Sequence, residues 1–236
     1  MSRWRYYLPI LGYHRVGSSK GDHVPTVSEE SFERQLAFLA REQYRVLSAE
    51  ELATCIDQGA PWPRRSVAIT FDDGYEETYT IAWPRLKRFG FPATVFITPS
   101  EVGLQGFATW SQVCEMGQDG MVIGCHTMHH SYLPTVPRER LQEEVVESKR
   151  IIEQQVGQPI RFISYPVGGF SSHVQAAIRA AGYGAAFTTN RLSPVRGIDR
   201  FALRRIKVTD RDRNPWLFRA KLSGYYDLFR QLKDPS

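Results

Sequence analysis

The stretch SVAITFDDGY, residues 66–75, decides how the rest of the chain reads. Ser66 to Phe71 is a short, largely apolar run, and it is expected to form a buried strand. Asp72, Asp73 and Gly74 follow it directly. Two adjacent aspartates at the end of a buried strand are costly unless a cation or hydrogen-bond donors compensate them. Gly74 permits a tight turn whose backbone N–H groups can face a ligand. Adjacent side chains cannot share one direction, so the two carboxylates are expected to differ in role. One can hold a metal while the other stays free as a base. The plainer alternative is an Asp-Gly turn with Asp73 capping the next helix, and this stretch alone leaves both open.

Short apolar runs alternate with amphipathic stretches on both sides of this segment. LPILGYH (8–14), YRVLS (44–48), PATVFIT (92–98), MVIGCH (121–126), IRFISYP (160–166), YGAAFTT (183–189) and FALRRIKV (201–208) read as strands. Between them lie helical patterns. SEESFERQLAFLAREQ places Phe32, Leu36 and Leu39 on one face. Ser48 and Glu51 form a capping box for AEELATCIDQG. EETYTIAWPRLKRFG is interrupted near Pro84, and Thr109 is a plausible cap for TWSQVCEMGQDG. PRERLQEEVVESKRIIEQQVG is expected to be the longest helix, and SSHVQAAIRAAG is expected to form a helix after the strand IRFISYP. This is about seven or eight β-α units in succession, which implies right-handed crossovers and a parallel sheet. A closed or nearly closed β/α barrel is the natural architecture, with an open doubly wound sheet as the alternative. Both place their sites at the C-terminal ends of the strands.

The unusual polar residues fall at those ends. His14 follows the first strand, Asp72 and Asp73 the third, and His126 and His130 follow MVIGC. Tyr165 and Pro166 follow RFIS. His126 and His130 are four apart, so one helical turn is expected to bring both imidazoles to the same side. Two imidazoles and one carboxylate suit Zn²⁺, Co²⁺, Ni²⁺ or Fe²⁺ and leave positions open for water and substrate. His129 is expected to play a supporting role, and Cys125, the alternate residue on the strand, to face the core. A metal beside a free carboxylate suits hydrolysis of an amide or ester. Expelling an amine also needs a general acid, and His14 can fill that vacancy.

The bulk numbers are permissive. The 236 residues suffice for one large domain, and the apolar fraction of 42% is ordinary for a globular chain. The net charge of +5 is compatible with an anionic partner or a membrane surface, but a solvated basic face explains it as well, and no nucleic acid is expected. Three cysteines without a framework argue against a disulfide scaffold. No export signal or transmembrane run is apparent, so a cytoplasmic location is expected unless the chain is a trimmed form of an exported protein.

TFDDGY (70–75) and HTMHH (126–130) resemble the first two motifs of the polysaccharide deacetylase, or NodB-homology, family (carbohydrate esterase family 4), and YPVGG (165–169) is similar to its third. LGYHRVG (11–17) resembles the circularly permuted branch that includes poly-N-acetylglucosamine deacetylases, in which the acid motif precedes the others. The resemblance covers about residues 8–208 of a single catalytic domain, leaving 209–236 as a helical tail. It implies a distorted (β/α) barrel of about seven parallel strands and metal-dependent N-deacetylation of an acetylated amino sugar or polysaccharide. It implies one divalent ion, Zn²⁺ first, held by Asp73, His126 and His130. Asp72 would be the general base and His14 the general acid. The Tyr75 backbone N–H would help hold the oxyanion. Tyr165 and Pro166 would line the groove, Trp110 would offer a sugar-stacking wall, and Arg205 would orient the acidic pair.

Two positions depart from the family pattern. Ser164 stands where an arginine often holds the base, and Val167 where an aromatic often follows the proline. Alternatives on the same scaffold are a deformylase or an O-acetyl esterase. An alternative of another class is a carbohydrate-binding scaffold without turnover. The oligomeric state is not readable.

Overall fold

In the computed structural model, which describes residues 7–18, 23–190 and 199–226, strand formation follows the apolar runs. The strands are β1 (Ile10–Tyr13), β2 (Arg15–Val16), β3 (Thr26–Val27), β4 (Arg45–Leu47), β5 (Ser66–Phe71), β6 (Thr94–Ile97), β7 (Val122–Cys125), β8 (Phe162–Ser164), β9 (Ala185–Thr188), β10 (Leu203–Arg204) and β11 (Ile206–Lys207). The main sheet runs β10-β9-β8-β7-β6-β5-β1-β11, with β4 pairing β5 off this path. Every pairing in it is parallel. The path thus holds eight strands where about seven were expected. The extra one has a simple origin. The strand expected at 201–208 is split at Arg205: Leu203 and Arg204 pair with β9, and Ile206 and Lys207 pair with β1. One short segment therefore joins both edges of the sheet and closes the barrel.

Side-chain alternation sorts the strand residues into two cores. Ile10, Ala68, Phe96, Phe162, Ala185, Phe187 and Leu203 form the barrel interior, joined by Leu52 and Ala53. Leu11, Ile69, Val95, Cys125, Ile163 and Ala186 point outward into a second cluster beneath the surrounding helices. This parity carries the functional consequence. Continuing each inward series by two places sends His14, Asp72, His126, Ser164 and Arg205 into the barrel at its C-terminal mouth.

The surrounding helices are α1 (Glu29–Arg41), α2 (Ala49–Asp57), α3 (Trp83–Phe89), α4 (Trp110–Gln118), α5 (Arg138–Gln142), α6 (Ser148–Val156), α7 (Ser172–Ala180) and α8 (Pro215–Lys221). Their caps follow the sequence. Ser48 with Glu51, and Thr109 with Gln112, make full capping boxes, and Gly90 and Gly157 end α3 and α6 in the left-handed conformation. Two of the expected helical stretches are locally overwide, the first of them beside the interruption expected near Pro84. Thr78–Ala82, before Pro84, and Glu143–Glu147, between α5 and α6, are wound as single π-type turns. α8 begins the expected C-terminal tail and buries Phe218 in the outer core, while 227–236 lie outside the described residues. Among the described residues, no helix is long and apolar enough to cross a membrane.

Gly124 shows how tightly the barrel is filled. A Cβ there would lie 2.5 Å from a Phe96 ring carbon and 3.2 Å from the Phe162 carbonyl oxygen. Gly124→Ala is expected to cost about 1–3 kcal/mol through overpacking. Chemical denaturation of the two proteins measures it.

Candidate active site

Asp72 leaves β5 pointing into the barrel and is 2% exposed. Its backbone N–H donates to the Tyr13 carbonyl at 3.0 Å, which fixes its height against β1. Arg205 meets it fork to fork. Nη1 donates to Oδ1 at 2.7 Å and Nη2 to Oδ2 at 2.6 Å. The same guanidinium donates to Ser164 Oγ at 2.8 Å and to Thr70 Oγ1 at 3.2 Å. Ser164 therefore does not leave Asp72 without an arginine. The arginine comes from the closing segment instead, and the small serine makes room for it and accepts from it. Burial alone would raise the Asp72 carboxyl, but Arg205 and His126 hold it well below the usual carboxylate range.

Asp73 takes a different path. Its backbone is left-handed, at φ 71°, as is that of Gly74 at φ 76°, so the chain turns sharply and the second carboxylate is aimed away from Arg205. Asp73 Oδ1 lies 3.4 Å from His126 Nε2 and 3.4 Å from His130 Nε2. It is buried and, among the described residues, has no hydrogen-bond partner. His126 Nδ1 lies 2.8 Å from the Ser164 carbonyl oxygen, to which it can only donate, so its Nε2 lone pair faces Asp73. A tetrahedral ion with ligand bonds of about 2.1 Å separates its ligands by about 3.4 Å. The three atoms therefore fit a divalent ion of the kind expected. Burial and the neighbouring His126 hold the His130 imidazole below its ordinary value, which keeps its lone pair available at neutral pH.

The approach of the two histidines differs from the sequence reading. Residues 126–130 form no helical turn. Thr127 at φ 67° and His130 at φ 54° are left-handed, and this irregular loop brings the rings to 4.9 Å. Cys125 faces outward and donates to Ser148 Oγ at 3.2 Å, and His129 turns away to Glu144 at 3.0 Å.

His14 stands inside the mouth, with Nε2 3.9 Å from Asp72 Oδ2. Burial holds its imidazole below the ordinary value, although Asp72 and Asp73 pull the other way. Tyr75 bridges antiparallel to Phe107 as a non-hydrogen-bonded pair. The flanking bonds run from Ala108 N–H to the Gly74 carbonyl and from Glu76 N–H to the Gly106 carbonyl, so the bridge does not consume the Tyr75 N–H. The Tyr75 ring is held between the Arg15 guanidinium, 3.8 Å from its centroid, and Phe107.

Tyr165 does not line the groove. The parity that turns Ser164 inward turns Tyr165 outward. It is 1% exposed, stacks on Phe170 and donates to the Phe201 carbonyl at 2.8 Å. Pro166 is buried too, and Val167, 76% exposed in a left-handed conformation, is what this loop offers to solvent. Trp110 is half-buried at the start of α4, packed against the outer core. Sequence reasoning missed Glu101, whose carboxyl is pushed up by burial and by Asp73, and the buried Glu144. Nothing in the local pattern marks the first. The second sits in a helix whose π-type turn has no sequence signature.

Residues 59–186 match the family model described as polysaccharide deacetylase. The chain belongs to the polysaccharide deacetylase family. It is 33% identical over 202 residues to the Bacillus subtilis (strain 168) protein YxkH, whose name places it among the polysaccharide deacetylases, covering 86% of this chain and 71% of that protein. It is 26% identical to the poly-beta-1,6-N-acetyl-D-glucosamine N-deacetylase of Staphylococcus aureus (strain MRSA252), covering 85% and 78%. The solved structure of IcaB from Ammonifex degensii superposes with a TM-score of 0.79 at 27% identity, covering 92% of this chain and 97% of that one. His14 and Arg205 both lie outside the matched segment 59–186.

Removing one partner of the buried clamp leaves the other charge uncompensated, so Arg205→Met is expected to destabilise the fold by about 3–5 kcal/mol. The pH dependence has a definite sign. Asp72 has a lower pKa folded than unfolded, so its stabilisation is present above about pH 3.9 and is lost as the pH falls below that. The stability difference between wild type and Asp72→Asn is expected to shrink over this range. Denaturant titrations at successive pH values, with metal removed, test both.

Proposed function

We propose that this chain is a metal-dependent hydrolase that removes N-acetyl groups from an N-acetylated amino sugar or polysaccharide. One observation carries the reading. Two adjacent carboxylates have been given opposite surroundings: Asp73 shares one unpartnered oxygen between two imidazoles, while Asp72 is clamped apart from it by Arg205. That division matches a ligand and a base. The name of the Staphylococcus aureus relative supports the choice of an N-acetylated glucosamine polymer as substrate class.

A divalent ion on Asp73, His126 and His130, with Zn²⁺ the first choice and Co²⁺, Ni²⁺ or Fe²⁺ also suited, would polarise the acetyl carbonyl and acidify a water. The protein's own residues do the rest. Asp72 is ionised across the neutral range and accepts the proton of the attacking water. Arg205 keeps that carboxylate in one orientation and prevents it from swinging toward the histidines. The unconsumed N–H of Tyr75 is available to the developing oxyanion. When the C–N bond breaks, the sugar amine needs a proton. His14, facing Asp72 across 3.9 Å, is placed to take up the proton that Asp72 gains from the water and pass it to the amine. An ester leaving group needs that acid less than an amine does, so the presence of His14 favours an amide substrate.

Acetate release from N-acetylglucosamine oligomers is the direct test. His14→Ala and Asp72→Asn are each expected to lower kcat by about 10²–10⁴-fold while retaining bound metal. Chelation should abolish the activity and readdition of the ion restore it. Metal bound without acetate or formate release from any N- or O-acylated sugar would overturn the reading in favour of a binding scaffold.

A further inference from the structure

Residues 127–131 hold His130 in place by means that the sequence does not advertise. Thr127 and His130 both have positive φ, a region few non-glycine residues adopt and one that the β-branched Thr127 adopts only under constraint. His130 is also the less enclosed of the two histidines. Its side chain is 38% exposed, and its Nε2 approaches Asp73 across 3.4 Å. The conformation of this loop therefore decides where His130 Nε2 stands.

Glu144 supplies the support. Its side chain is fully buried, at 0% exposure, and faces the loop. Oε2 accepts from the backbone N–H of Met128 at 3.0 Å and of His129 at 3.1 Å. Oε1 accepts from Ser131 Oγ at 2.7 Å and lies 3.0 Å from His129 Nδ1. The residues it holds stand on both sides of His130. Glu144 lies in the wide turn Glu143–Glu147, and π-type turns frequently accompany functional sites. Ser148 anchors that turn, donating to the Glu144 carbonyl at 2.7 Å and accepting from Cys125 on β7 at 3.2 Å. The strand that delivers His126 and the loop that delivers His130 are thus fastened to one helical turn.

We propose that Glu144 is a positioning residue that sets the metal affinity of the site by fixing the loop around His130. This rests on the metal site of the proposed function. A carboxylate is suited to the task because it accepts all these hydrogen bonds at once, two of them from backbone N–H groups.

The test is a competition titration of metal-free protein with Zn²⁺ against a chromophoric chelator, with the melting temperature measured in parallel. Glu144→Ala is expected to raise the Zn²⁺ Kd by about 10–100-fold. Glu144→Gln, which keeps the shape and part of the acceptor set, and Ser131→Ala, which removes one contact, are expected to raise it less, and they carry the test should Glu144→Ala not fold. Lys221→Met breaks the buried Lys221–Asp212 pair elsewhere, so it should lower the melting temperature and leave the Kd unchanged. A wild-type Kd in the folded Glu144 variants, whatever their melting temperatures, overturns the proposal. Failure of the wild type itself to bind one Zn²⁺ per chain overturns the metal reading, a result distinct from unaltered affinity in the variants.

Discussion

The buried pair of Arg205 and Asp72 is the interaction on which the rest depends. Both side chains are almost wholly removed from water, at 1% and 3% exposure. A buried ion pair is rarely a net source of stability, because the desolvation of two charges cancels most of their attraction. Its value here is geometric. Arg205 lies at the point where the closing segment changes partners from β9 to β1, and Asp72 lies at the end of β5. The guanidinium crosses the barrel interior and also bonds Ser164 on β8. Barrel closure and the orientation of Asp72 are therefore one event. Lysine would not serve, since a single ammonium cannot meet both carboxylate oxygens in a fixed plane.

The same clamp explains how two neighbouring aspartates avoid competing. Placed side by side without other charges, they would share a proton or a cation. Arg205 compensates Asp72, which leaves Asp73 to face His126 and His130. The left-handed turn at Asp73 and Gly74 then supplies the divergence in direction that an extended strand alone would give only in part. Electrostatics and backbone conformation act on separate residues and reach one arrangement.

What could be read from the sequence follows from which signals are local. Strand alternation is local, and it placed His14, Asp72 and His126 at the barrel mouth. The same rule applied strictly would have turned Tyr165 outward, since it follows the inward Ser164 directly; the motif resemblance pulled it toward the groove instead. The four-residue spacing of His126 and His130 signals their proximity but not its cause, because a loop with two positive-φ residues produces the same meeting as a helical turn. Glu144 was illegible. Its partners depend on a widened helical turn and on tertiary contact across some fifteen residues, and neither leaves a pattern in the chain. The arginine apparently missing beside Ser164 was visible only as a residue in another segment, because compensation of this kind acts through space.

The ring also explains why the position of His14 in the chain is unimportant to its position in the site. β1 lies between β5 and β11, with Leu11 opposite Ile206 and Gly12 opposite Lys207. Its place is fixed by these two pairings and not by its being first. Near the ends of the described chain, the Tyr7 N–H donates to the Gly224 carbonyl at 3.1 Å, so the two ends of the fold meet. In such a closed ring, a strand can be supplied from either terminus with little change in loop length or burial, which is the condition under which circular permutation is tolerated. A segment bearing an acid before the metal motifs and one bearing it after them would enter the same gap between β5 and β11. Strand order in space, set by hydrogen-bonded pairing, governs the chemistry of this barrel; order along the chain is free to vary.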